Sequence, residues 1–177
     1  MIPVNLYVFI SAHGPRKQDG AYGWVLEYIR ANGEPDSRTL HGIGIRQQTV
    51  DRALVLEAIT EALGRLSKPC DVTIFLDPAY LAETIPTPWE QGWVDRWEAN
   101  GWLTAQGQEV KNADLWKNAL AVLRNNHAVF TKIQGYNSYK NWIYSQIDHA
   151  VRNSYAVLAE SGNSEPAENK NFVKITD

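Results

Sequence analysis

The chain opens on V-N-L-Y-V-F-I (4–10), where apolar and β-favouring side chains follow one another almost without a polar break. Such a run predicts a central strand buried on both faces. Further strands are predicted over 23–30 (G-W-V-L-E-Y-I-R) and 38–45 (R-T-L-H-G-I-G-I), with Gly33 and Pro35 punctuating the turn between them. From Thr49 the period changes. Val55, Ile59, Ala62, Leu63 and Leu66 recur at three- and four-residue spacing, while Glu57, Glu61 and Arg65 fall on another face. This pattern predicts an amphipathic helix capped by Thr49. D-V-T-I-F-L-D (71–77) then predicts a strand, 113–124 a second helix, 128–133 a fifth strand and 141–159 a third long helix.

Three hairpin-linked strands followed by helix, strand, helices, strand and helix predict an α/β layer. Its sheet is mixed and five-stranded, three strands antiparallel and the rest joined by parallel crossovers, with helices on its faces. Right-handed crossovers set the ends of the first and fourth strands side by side, which brings Ser11 near Asp77. Residues 1–160 are expected to form one domain, and the polar segment 161–177 a C-terminal tail.

A hydrophobic content of 44% with 21% charged residues is ordinary for a globular chain, but seven Trp are not. The net charge of −3 argues against a surface that coats nucleic acid generally, so a nucleic-acid contact has to be local. Cys70 is the single cysteine, which excludes an internal disulfide and fits a reducing compartment. The first residues lack a basic segment and the apolar run ends by Ala12, so neither a signal peptide nor a membrane span is expected. The expectation is a cytoplasmic, monomeric fold unit.

The Trp residues point further. The stretch R-W-E-A-N-G-W-L-T-A-Q-G-Q-E-V-K-N-A-D-L-W (96–116) resembles the Trp-rich handle and following helix of bacterial type 1 ribonuclease H. The likeness extends along the chain through Ala21-Tyr22-Gly23, Asp51-Arg52, Leu76-Asp77-x-x-Tyr80 and Asp148-x-x-Val151-Arg152. It implies hydrolysis of the RNA strand of an RNA/DNA hybrid by two Mg²⁺ ions held on four carboxylates. In-line displacement at a phosphodiester needs one ion to sharpen the attacking water and a second, about 4 Å away, to stabilise the leaving oxygen.

The resemblance places the four carboxylates at Ser11, Leu54, Asp77 and Asp148, so two of the four positions carry no ligand. Asp77 and Asp148 are then a remnant site with room for one weakly held Mg²⁺ or Mn²⁺. Asp51, Asp19 or Glu57 are the candidates to replace a lost ligand. The position of the family's mobile histidine carries Tyr136, and the segment before Asp148 is about two residues longer than usual. Ser11, His13 and Asp77 have the residue types of a nucleophilic triad, but no G-x-S-x-G elbow accompanies them.

The handle also departs from the family. Segment 89–111 sets Glu90, Asp95, Glu98 and Glu109 against Arg96 and Lys111, an acidic balance on a surface meant to approach a polyanion. Thr49, Asp51, Trp97 and Trp102 are the substrate-contact positions that the resemblance implies; the handle tryptophans are expected to pack onto the body, with Trp89 the best candidate for exposure. The expected function is a non-catalytic binding module for a protein partner or an RNA/DNA hybrid. An active ribonuclease H with relocated ligands is the alternative.

Overall fold

The structure, a computed structural model, describes residues 1–14, 16–36, 38–77, 84–161 and 175–176. Three strands come first: β1 (Ile2–Ile10), β2 (Gln18–Tyr28) and β3 (Leu40–Thr49). They are followed by α1 (Asp51–Leu63), β4 (Cys70–Leu76), α2 (Pro86–Glu90), α3 (Trp93–Ala99), α4 (Ala113–Arg124), β5 (His127–Lys132), α5 (Ser138–Ser161) and β6 (Ile175–Thr176). The sheet order is β5-β4-β1-β2-β3-β6. β1, β2 and β3 pair antiparallel, and β4 and β5 add in parallel on the other side of β1. This is the expected five-stranded mixed sheet, extended by one short strand. β6 pairs with β3 at Leu40 and His41, where it covers backbone groups that an edge strand would leave open.

Period two along β1 divides the core. Val4, Leu6, Val8 and Ile10 face α1 and α4, while Phe9, with Tyr7 beside it, faces α5. α1 contacts both the sheet and α4, so its apolar surface is wider than a single stripe. Leu54, Leu56, Ala58 and Ile59 are all sealed as a result. On the opposite face, Ile143 and Ile147 of α5 pack down onto β2. That approach requires a glycine at position 23, since a Cβ there would lie 2.5 Å from Ile143 Cγ1.

The polar residues of α1 have structural tasks. Glu61 accepts hydrogen bonds from the Tyr22 hydroxyl (2.9 Å) and the Trp24 indole N–H (3.1 Å). Burial first, and then the Glu61 carboxylate, push the Tyr22 hydroxyl far above its ordinary value. Both rings lie flat across β3, where a Cβ on Gly44 would come within 2.2 Å of Tyr22 and one on Gly42 within 2.6 Å of Trp24. Under α5, the buried Glu27 accepts from Asn5, Tyr7 and Tyr139, which ties the start of that helix to the sheet.

Several boundaries differ from the sequence reading. β2 begins at Gln18 rather than 23, because Gly20 and Ala21 continue the ladder past a bulge between Gln18 and Gly20. β3 runs on to Thr49, which pairs with Gln18 and is therefore still extended. Thr49 is not the helix cap: Val50 holds that place with no side-chain hydrogen bond. The last helix starts three residues earlier than expected, at Ser138. Among the described residues, no helix is long and apolar enough to cross a membrane.

Candidate functional site

Parallel pairing carries β1 and β4 out of the sheet at the same end, with Val8 opposite Leu76 as the last paired residues. Asp77 follows immediately, and Pro78 and Tyr80 lie outside the described residues. Two side chains of α5 reach this strand end. Lys140 sets its Nζ 3.4 Å from Asp77 Oδ2, and the Tyr144 hydroxyl donates to the Ile10 carbonyl at 3.0 Å. Tyr144 also lies close enough to Asp77 for the carboxylate to act on its hydroxyl. Its hydroxyl is pushed up to about 12 by burial, and then by the charge of Asp77. Lys140, Tyr144 and Asp148 are spaced four apart on one helix and so form a single stripe. Asp148 continues that stripe one turn beyond Tyr144 and is exposed.

Ser11 and Leu54 occupy their places for structural reasons. The Ser11 backbone N–H donates to the Ala21 carbonyl at 2.9 Å, while its Oγ accepts the Ala21 N–H at 2.8 Å. The serine thus prolongs the β1–β2 ladder by one step, with a hydroxyl standing in for a backbone carbonyl. Leu54 is 0% exposed and belongs to the main core. A Cβ placed on Gly20 would meet Ala12, Leu54 and Thr49 together, which locates the leucine beneath the exit of β1.

The carboxylates proposed as replacements are engaged elsewhere. Glu57 is ion-paired with Arg46, which also lies over the Tyr22 ring. Asp19 accepts the backbone N–H of Gln48 at 3.1 Å, and Asp51 accepts that of Arg52 at 2.7 Å. Among the described residues, no three His, Cys, Asp or Glu side chains converge as a metal site would require. The residues present therefore do not fit a two-ion centre: Asp77 faces an ammonium and a phenol. Tyr136, at the position of the family's histidine, is fully open to solvent. The Ser11 hydroxyl, the nucleophile a triad would need, is engaged on β2, where it accepts the Ala21 N–H and lies 3.4 Å from the Ala21 carbonyl.

The handle is built from α2, α3 and the loop to α4. Trp97 and Trp102 are half-buried against the core, and Trp97 meets Trp116 edge-on at 5.9 Å. Trp89 is also half-buried, as packing predicts, and Trp93 is the open one of the handle at 41% exposure. The acidic face of the handle is partly compensated from within the chain. Arg124 of α4 reaches across to Asp95 (3.0 Å) and Glu98 (2.8 Å). Sequence reasoning missed Lys140 and Tyr144, although the K-x₃-Y-x₃-D spacing that ends in Asp148 was visible.

An antiparallel triplet extended by parallel crossovers, with a strand-end aspartate facing the last helix, defines an RNase H-like protein. The chain belongs to the RNase H family, whose match spans residues 4–155. The ribonuclease H of Lachnoclostridium phytofermentans is 32% identical over 136 residues, covering 77% of this chain and 82% of that one. That of Prosthecochloris aestuarii is 33% identical over 137 residues, covering 76% and 86%. A third, from Caldicellulosiruptor saccharolyticus, is 36% identical over 95 residues, which span 54% of this chain and 63% of the relative. Among solved structures, a type 1 RNase H with the type 2 active-site motif superposes with a TM-score of 0.64 at 19% identity, covering 86% of this chain and 73% of that one. The PFV RNase H domain gives 0.52 at 18% identity, covering 88% and 96%. At these identities the structures speak for the fold.

Proposed function

We propose that the chain is a non-catalytic binding module on the ribonuclease H fold. The observation that carries this reading is the use made of the two positions without a carboxylate. Leu54 is sealed in the core and Ser11 is built into the β1–β2 ladder, so neither place is free to take a ligand. Asp77 and Asp148 are what remains of the site. Two carboxylates do not balance two divalent ions, and without the second ion the leaving oxygen of a phosphodiester is not stabilised. The ligand is a protein partner or an RNA/DNA hybrid, met through the strand end and the handle. The open Trp93 on a handle of acidic balance favours a protein. The buried thiol of Cys70 fits a cytoplasmic location.

The rival reading is an active endoribonuclease, and the names of the relatives favour it. Incubation of the protein with labelled RNA/DNA hybrid in Mg²⁺ and then Mn²⁺ separates the two. The expected result is no turnover. Cleavage that disappears in Asp77→Asn would establish the enzyme instead. A gel shift without cleavage, weakened by salt and unchanged by a chelator, would identify the hybrid as the ligand. No shift at low salt would point to a protein.

A further inference from the structure

Asp77 is the one ligand position of the family that keeps both its carboxylate and its place beside β1, yet its surroundings are those of a compensated charge. Three groups of α5 lie along one stripe, and two of them reach the strand ends. Lys140 brings an ammonium to Asp77 Oδ2 at 3.4 Å. Tyr144 donates its hydroxyl to the Ile10 carbonyl at 3.0 Å and feels the charge of Asp77. Asp148 is the one carboxylate on the stripe, one turn further along. A divalent ion at Asp77 would have to approach an oxygen already facing a cation, and it would meet like charge as it did so. The ammonium has three donors and a flexible stem, so it can satisfy the carboxylate without the strict octahedral shell that Mg²⁺ demands.

We propose that Lys140 is the resident cation of this site: its ammonium takes the position over Asp77 that a divalent ion would otherwise hold, and so excludes the ion. The site then keeps the charge pattern of a carboxylate with a bound cation, independently of metal supply. Lys140 is 47% exposed and Asp77 23%, so the lysine sits at the mouth of the site and its replacement leaves the core untouched. Without the ammonium, Asp77 becomes open to a single Mg²⁺ or Mn²⁺, with Asp148 on the same stripe and water to complete the shell.

The test is a Mn²⁺ titration of the full chain, followed by calorimetry and by water-proton relaxation. The wild type is expected to hold Mn²⁺ only weakly at Asp77. Lys140→Met, which keeps the stem, and Lys140→Gln are each expected to bind Mn²⁺ about tenfold more tightly than wild type, a gain lost when Asp77→Asn is added. Lys140→Arg keeps the charge and is expected to gain nothing. Circular dichroism confirms folding of each variant, and Lys140→Gln decides if Lys140→Met does not fold. The proposal is overturned if wild type binds Mn²⁺ at Asp77 as tightly as the variants, or if the folded variants gain no site. It rests on the non-catalytic reading, but the two fail differently. Hybrid cleavage by wild type removes both, whereas Mn²⁺ at Asp77 without cleavage removes this one alone.

Discussion

Leu54 and Ser11 illustrate how a side chain is chosen by its neighbours once it has no ligand to hold. Leu54 fills the space bounded by Ala12, Thr49 and the hydrogen of Gly20, with no exposure at all. Truncation there leaves a cavity that the packed strand ends beside it do little to close. Leu54→Ala is expected to cost about 2–5 kcal/mol in urea denaturation. Leu54→Glu, the change that would rebuild the family's ligand, is expected to cost at least as much, because it places a carboxylate among apolar groups. A Leu54→Glu chain as stable as wild type would mean that position 54 reaches solvent. Ser11→Ala is a milder change, since Ser11 is exposed and water can take over the Ala21 N–H.

At the scale of elements, the sequence was most legible where a segment is fully buried or strictly periodic. The unbroken apolar run of β1 and the stripes of α1 and α4 predicted their own elements because burial alone decides them. The start of β2 was not legible. Gly20 and Ala21 fall outside the strand predicted from Gly23, whereas they are strand positions, and Gly20 is kept small by Ala12 and Leu54 as Gly23 is by Ile143. The same limit hid Lys140: it meets Asp77 from a helix that begins far down the chain, and no local pattern encodes that pairing. The acidic handle was legible as composition, but not its compensation by Arg124. Both ion pairs are solvent-exposed, so Arg124→Ala is expected to lower global stability by less than about 1 kcal/mol. The change should instead be local. α3 has seven residues and is held to α4 by this arginine and the Trp97–Trp116 contact, so its amides should exchange faster with solvent in the variant. Unchanged exchange over 93–99 would show that the tryptophans suffice.

The whole molecule couples its two faces to the sheet through phenols. Glu61 anchors Tyr22 beneath α1, Glu27 gathers Tyr7 and Tyr139 beneath α5, and Tyr144 closes the strand end at Ile10. Burial is the first cause of every shift and a nearby carboxylate the second. Tyr7 and Tyr144 are pushed up to about 12, and Tyr22 and Tyr139 further still. The sign of the consequence follows from proton counting. In the unfolded chain these phenols ionise near their ordinary value of about 10, whereas in the folded chain they keep their protons well above it. Between those values the unfolded state binds fewer protons, so stability falls as pH rises. The contribution is fully present below about pH 10 and is lost on passing through the folded values near 12. Thermal unfolding should therefore drop steeply from about pH 10 upward, and the tyrosinate absorbance of the buried phenols should rise together with unfolding. The buried phenols Tyr7, Tyr22, Tyr139 and Tyr144 are expected to ionise only as the circular dichroism signal collapses. Titration of all the tyrosines in one step with the fold intact would mean that these hydroxyls do not hold the helices to the sheet.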